Sequence, residues 1–408
     1  MAARAITGDG AGVWATITQA PGAVKVILLG VLVNRLTGFL TIFLALLLYA
    51  RGYSAAQTAV VVGLYGAGTV LSYLVGGPLA AALGTRTVTV VSLACSAVLL
   101  AVLLALSDFA LVATTVTLAG VASQLYWPAS VTMLSDLTPQ HRQVMIQAMY
   151  RFAVNVGSAA APLLGFALYR LDRDYTYVLL AQALFGLGYA VLARAVLPRR
   201  DPVRDPPPVT HRRRRGGHYA AVLADRRFVL FLIAGFFSTA VYTQYLATLP
   251  LDIAASGLPV FWYSAAVSLN GILVILFELP LTKLSQRLPV RPVVIATFAL
   301  VGLGMATYGL PLVPVVVVTG TLLWTLGEMI GGPRVFAYPA VAAPMALKPY
   351  YISAFQFTFG LAGAVGQTVG VSLFAALGHR VWPFLALGSA LAVLFAFVAL
   401  RPRGAEPH

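Results

Sequence analysis

Acidic residues are scarce in this 408-residue chain: 12 Asp and Glu stand against 27 Lys and Arg, and these four types together make up only 10%. Soluble domains carry about a quarter charged residues, so this chain has too little polar surface to meet water on every side. Cysteine is nearly absent too. The single Cys95 rules out an intramolecular disulfide and a cysteine metal cluster, and its apolar surroundings predict a buried small hydrophobe. The five histidines (141, 211, 218, 379 and 408) fall between apolar runs or in tails, which leaves no buried histidine site. No phosphate loop of the form G-x-x-x-x-G-K-S/T occurs, hence no ATP motif, and no other enzyme signature is present. The first residues hold no short apolar core with a small-residue cleavage site, so no cleaved leader is expected. Long polar stretches are missing as well, with one exception at 198–218.

That exception, PRRDPVRDPPPVTHRRRRGGH, carries seven arginines (Arg199, Arg200, Arg204 and those at 212–215), five prolines and two adjacent glycines. Prolines withhold backbone donors and like charges resist burial, so the stretch predicts an extended, solvated linker. Its arginine tetrad suits anionic headgroups. Everything else is apolar: 60% of the chain is hydrophobic and the mean hydropathy is +0.89, which makes lipid the expected solvent. A helix needs about 20 apolar residues to cross a bilayer. Twelve spans are predicted, at 24–50, 56–83, 87–106, 109–135, 142–169, 175–197, 226–251, 259–286, 291–311, 314–338, 350–378 and 381–400.

Flanking charge orients these spans. With a cytosolic N-terminus, 20 Lys and Arg fall on the cytosolic side and 4 (Arg51, Arg170, Arg173 and Arg380) on the other, while Arg35, Arg151 and Arg334 lie within spans. Cytosolic loops gather positive charge, so both termini are expected inside. The same clustering accounts for the net charge of +15 without nucleic acid, because the charge is not spread over a folded basic face. The predicted fold class is an all-α membrane protein of 12 transmembrane helices, arranged as two pseudo-symmetric six-helix bundles. Residues 1–197 form one bundle and 219–408 the other, with 198–218 as a cytosolic Arg/Pro-rich linker.

The halves also repeat. Shifting the second back by 205 residues aligns Pro333 with Pro128, Pro344 with Pro139, Gly257 with Gly52, Gly271 with Gly66 and Gly370 with Gly165. RFAVNVGSAAAPLLGFALY (151–169) then lies over QFTFGLAGAVGQTVGVSLF (356–374), with Phe152 on Phe357. Six helices duplicated in parallel describe a transporter whose site lies near mid-membrane between the repeats.

This arrangement resembles the major facilitator superfamily, and three stretches carry the likeness. VNRLTGFLTIFLALLLYARGYSAAQTAVVVGLYGAG (33–68) looks like the first two helices of its bacterial drug-efflux branch. SDLTPQHRQVMIQAMYRFAVNVGSAAAPLLG (135–165) looks like the helix 4–5 region with a version of the antiporter motif, where Gly157, Ala161, Pro162 and Gly165 stand at its small-residue and proline positions. WTLGEMIGGPRVFAYPAVAAP (324–344) resembles a helix-10 signature of the same branch. One motif departs from the pattern. The loop usually written G-x-L-A-D-R-x-G-R-R reads GPLAAALGTR (77–86) here, keeping Gly77, Gly84 and Arg86 but placing Ala81 where the acid is expected. In the family that acid helps latch the cytosolic side, so another contact must supply the latch or the latch is weak.

Charged groups at membrane depth cost about 2.5–3.5 kcal/mol each on insertion scales and need a partner or a water-filled cavity. Arg35, Arg151 and Glu328 lie near mid-depth. Burial favours a neutral carboxyl and a nearby cation the ionised one, so Glu328 is the leading proton-coupling candidate, with Arg35 and Arg151 beside it. The structural alternative is a permanent ion pair of Glu328 with Arg35, Arg151 or Arg334. Glu278 is a secondary acid, with Lys283 and Arg287 as surface partners. Arg35 or Arg151 could instead hold an anionic substrate group, and Asn155, one turn after Arg151, could orient its guanidinium. Asn34, Gln124, Tyr126, Trp127, Tyr242, Gln244, Asn270 and Trp324 supply an aromatic-plus-amide cavity lining, against the alternative of helix–helix bonds and interface anchors. Gly77, Gly84, Arg86, Gly157, Pro162, Gly165 and Gly370 are candidates for packing and gating.

The reading that follows is a secondary active transporter, not an enzyme, without cofactor or metal and driven by a proton gradient. It would export small amphipathic compounds, such as drugs, antibiotics or metabolites, by alternating access. An uptake symporter, a facilitator or a lipid flippase of the same fold is the alternative within transport, and a membrane receptor or scaffold the alternative outside it. The partners are a small-molecule substrate, protons and lipid, and a monomer is what the resemblance implies. The Arg- and Ala-rich composition suits the inner membrane of a GC-rich bacterium.

Overall fold

The computed structural model describes residues 12–172, 174–199 and 217–401. The linker beyond Arg199, with its arginine tetrad, lies outside the described residues. Among the described residues, eleven apolar helical runs are long enough to cross a membrane, and the last, Met345–Ala399, holds two long helices that meet at Gly378–Arg380. The spans are therefore twelve. Spans 1 to 6 are Gly22–Leu36 with Phe39–Ala50, Ala55–Leu83, Thr85–Ala105, Phe109–Asp136, Gln143–Asp172 and Thr176–Val196. Spans 7 to 12 are Arg226–Tyr242 with its continuations to Ala255, Phe261–Ser285, Val290–Thr307, Pro314–Ala342, Lys348–Leu377 and Val381–Ala399.

Helices are what such a sequence must form, because hydrocarbon offers backbone groups no partner outside the chain. Their starts are set locally. Ser54 and Gln57 cap each other's backbone N–H groups at the head of span 2, a reciprocal pair that uses two orphan donors. Asp108 and Asp225 cap spans 4 and 7 by accepting from Leu111 and Phe228 N–H at 2.9 and 3.1 Å. Short helices at Val13–Gln19 and His218–Ala224 precede each bundle; both were too short to show as spans in the sequence.

The repeat is visible in the packing. Span 2 packs on 4, span 3 on 4 and 6, and span 1 on 5 and 6; adding six to each number gives the neighbours of the second bundle. Gly52 and Gly257, one 205-residue shift apart, both adopt positive φ (83° and 74°) in the turn after a broken helix. Span 1 breaks at Thr37–Gly38 and span 7 at Thr243, again 205 residues apart from Gly38. Paired interruptions of this kind mark the substrate region in transporters built from repeats.

The bundles meet through spans 2 and 11 and through span 5 against 8 and 10. They are closed toward the Arg-rich face. There, apolar clusters mix residues of both halves: Ala340 and Ile352 join Met145 and Met149, and Val144 joins Phe231 and Tyr351. At the opposite face each apolar cluster belongs to a single bundle. Cys95 differs from expectation, being exposed on the outside of span 3 rather than buried.

Candidate functional site

Arg151 reaches from span 5 of the first bundle to two carboxylates of the second. Its Nε donates to Glu278 Oε1 at 2.6 Å and its Nη2 to Glu328 Oε1 at 2.9 Å. Glu328 is further bound by Tyr242 Oη, donating at 3.0 Å, and by Asn270 Nδ2, donating at 3.1 Å to the same Oε2. Asn270 also donates to Thr325 at 3.2 Å. The guanidinium lies 5.0 Å over the Phe336 ring, and a Cβ on Gly332 would sit 2.9 Å from its Cζ, so a side chain there would push the guanidinium from this position. Glu278 is fully buried, with its second oxygen unpartnered. This corrects the sequence reading: Arg151, not Lys283 or Arg287, is the partner of Glu278. Asn155 lies beside that same carboxylate. Arg334 is not in the cluster either, since it donates at 2.6 Å to the Ser285 and Leu288 carbonyls that end span 8.

Arg35 stands apart. Its Cζ lies 3.8 Å over the Trp127 ring, a cation–π contact, and its buried Nε has no hydrogen-bond partner. It lines a cavity of about 220 Å³ inside the first bundle with Asn34, Gly38, Thr41, Tyr65, Ser123, Gln124, Ser158, Pro162 and Gln182. Tyr126, fully buried, donates to Asn34 Oδ1 at 2.8 Å. The break in span 1 frees the Leu40 N–H, which Gln182 Oε1 accepts at 2.7 Å. Arg35 therefore does not balance Glu328. The predicted cavity residues divide into an Arg35 group in the first bundle and a Glu328 group at the boundary.

The Major Facilitator Superfamily profile matches residues 27–367. The chain belongs to this superfamily. Its relatives include an uncharacterized transporter of the same type, YqjV of Bacillus subtilis strain 168, 24% identical over 92% of this chain and 93% of that protein. A Na(+), Li(+), K(+)/H(+) antiporter of Planococcus maritimus is 24% identical over 70% of this chain and 72% of its own. Among solved structures, a crystal structure of the E. coli fucose:proton symporter FucP superposes with a TM-score of 0.75 at 14% identity, over 93% of this chain and 98% of that one. The protein is thus a multi-pass secondary transporter of a family that is not enzymatic and generally needs no cofactor.

In this transporter the remaining predicted residues hold helices together. Gln244 is no cavity residue: it donates at 2.7 Å to the Ala240 and Gly366 carbonyls, tying the break of span 7 to span 11. Trp324 is fully buried, donates at 2.8 Å to Tyr308 and stacks on Tyr245, so it too is packing. Gly157 lets span 5 approach Arg35, Gly165 faces Phe43, and Gly370 faces Gln244. Gly77 touches Pro349 and Ser353 across the bundle boundary, while Gly84 turns with φ 84° into span 3. Arg86 donates to the Arg194 carbonyl within the first bundle, and Pro162 lines the Arg35 cavity. The latch acid missing at Ala81 has substitutes. Tyr219 donates to the Leu74 carbonyl, and Lys348 pairs with Asp136 at 2.6 Å, both across the boundary. Ala81 itself packs into an apolar cluster of the second bundle. Sequence reading missed Gln182, Gly332 and Tyr219. The adjacent Gly331 and Gly332 one turn beyond Glu328 were a signal for close approach by another group.

Proposed function

We propose that this transporter couples proton entry to the export of small amphipathic compounds, with Glu328 carrying the proton. The observation behind this reading is the Arg151 bridge, in which one cation of the first bundle is shared by two acids of the second. With Glu328 ionised, both acids hold Arg151 and the Arg-rich face stays closed. A proton on Glu328 removes one of the two charge-assisted bonds, and the bundles are freer to part on that face. Substrate then replaces the proton from the cytosolic side. Glu278, fully buried, keeps its own bond to Arg151 and holds the cation in place. In this reading the Arg-rich face is cytosolic, residues 198–218 join bundles 1–197 and 219–408, and the protein works as a monomer in a bacterial inner membrane.

A second reading takes a monovalent cation as the exported species, because one relative bears the name of such an antiporter and the Glu328 carboxylate stands beside the Tyr242 hydroxyl at the bundle boundary. One experiment separates them. Protein in liposomes with an internal pH dye is given amphipathic compounds or Na⁺ and K⁺, as wild type and as Glu328→Gln. Proton flux driven by the organic compounds, lost in Glu328→Gln while binding persists, is the expected result. Flux driven by the cations alone favours the second reading. Substrate movement without proton flux in both proteins defeats the coupling scheme and leaves a facilitator or flippase.

A further inference from the structure

The Arg35 cavity is rich in donors and, among the described residues, holds no carboxylate. Asn34 Oδ1 accepts from Tyr126 at 2.8 Å, Gln124 Oε1 from Tyr73 at 3.4 Å and Gln182 Oε1 from the Leu40 N–H at 2.7 Å. Each carboxamide oxygen thus already accepts one bond, whereas none of these three N–H2 groups has a partner among the described residues, so the N–H2 groups are the freer ones toward a ligand. Arg35 adds more donors and no acceptor. Its charge is uncompensated, since no carboxylate among the described residues pairs with it. The buried acids are engaged elsewhere: Glu278 and Glu328 by Arg151, and Asp252 by His379 and Trp382 at 2.8 and 2.6 Å. A lone cation among donors in a low-dielectric bundle is stabilised by an incoming anion far more than by a neutral or cationic group.

We propose that this cavity binds the anionic head of the transported compound, a small organic carboxylate. Arg35 pairs with the carboxylate while Asn34, Gln124 and Gln182 donate to its oxygens. Trp127 is a positioning residue: its ring fixes the plane of the guanidinium, which a flexible chain would otherwise leave free. The cavity, about 220 Å³, admits the head and a short apolar body. This proposal rests on the reading of the chain as an exporter of small amphipathic compounds and narrows it to those that carry a carboxylate.

The test is equilibrium binding to the full chain in phosphatidylcholine nanodiscs, which supply no anionic lipid. Acetate, benzoate and 4-phenylbutyrate are each compared with their neutral amide and their ammonium counterpart by calorimetry and tryptophan fluorescence. At least one carboxylate is expected to bind tenfold or more tighter than both counterparts, and Arg35→Gln to lose that preference. Gln182→Glu guards against a folding defect in Arg35→Gln, because it keeps an oxygen for the Leu40 N–H while placing a negative charge in the cavity. It should abolish carboxylate binding and admit the ammonium compound. Equal binding of carboxylate and amide, no binding by any of the three carboxylates, no effect of either variant, or binding of chloride and phosphate alone would each overturn the proposal. Because no gradient is applied, a failed proton-flux assay with this preference intact sinks only the coupling scheme, and the reverse result sinks only the anion site.

Discussion

Arg151 is the residue on which the two bundles converge, and its removal leaves Glu278 fully buried without a counter-charge. Losing one partner of a buried pair costs about 3–5 kcal/mol, whereas replacing both by neutral groups is far milder. Arg151→Met should therefore lower the melting temperature of the purified protein sharply, and adding Glu278→Gln should restore most of it. A wild-type melt for Arg151→Met would mean the bridge contributes nothing to stability. Both residues could be picked out from sequence as charges in apolar surroundings, but not as partners. The separation of 127 residues carries no register that would pair them, and Lys283 and Arg287 were nearer along the helix.

At the scale of elements, the contact of spans 2 and 11 sets how far the Arg-rich face can close. Gly77 allows it, since a Cβ there would lie 2.5 Å from the Pro349 carbonyl and as close to Ser353 Oγ. Backbone cannot yield as a flexible side chain does. Gly77→Val should thus keep each bundle folded yet hold the face apart. Spin labels at Leu83 and Met345, both exposed and in different bundles, read this as a longer distance with unchanged helix content. An unchanged distance would place the closure elsewhere. The breaks of spans 1 and 7 were not seen in the sequence. Thr37–Gly38 and Thr243 lie in continuous apolar runs, and hydropathy registers length rather than backbone continuity.

For the whole molecule, the proposed scheme ties closure of the Arg-rich face to the charge on Glu328. The attraction to Arg151 is complete when the carboxyl is ionised and falls as protons bind it, so acidification should open that face. The same spin-label pair should show a longer or broader distance distribution as pH drops. Glu328→Gln should show the opened distribution at every pH. A distance that follows pH equally in wild type and Glu328→Gln would assign the sensitivity to another group. Here the tertiary arrangement does what the missing acid at Ala81 suggested was undone: Tyr219 and Lys348 close the face with bonds that a loop motif could not reveal.

Composition alone was enough for lipid as solvent, since 10% charge cannot cover a soluble surface. Helix was then obligatory for every span. The 205-residue shift made the duplication readable too, because Gly and Pro persist where backbone geometry admits little else, as at Gly52 and Gly257. What the sequence could not contain was which charges meet. Arg35 and Arg151 look alike in a hydropathy profile, yet Arg151 is shared by two acids while Arg35 lines a cavity of amides and hydroxyls. That difference arises from helix rotation and from contacts across more than a hundred residues, which only the packed bundles determine.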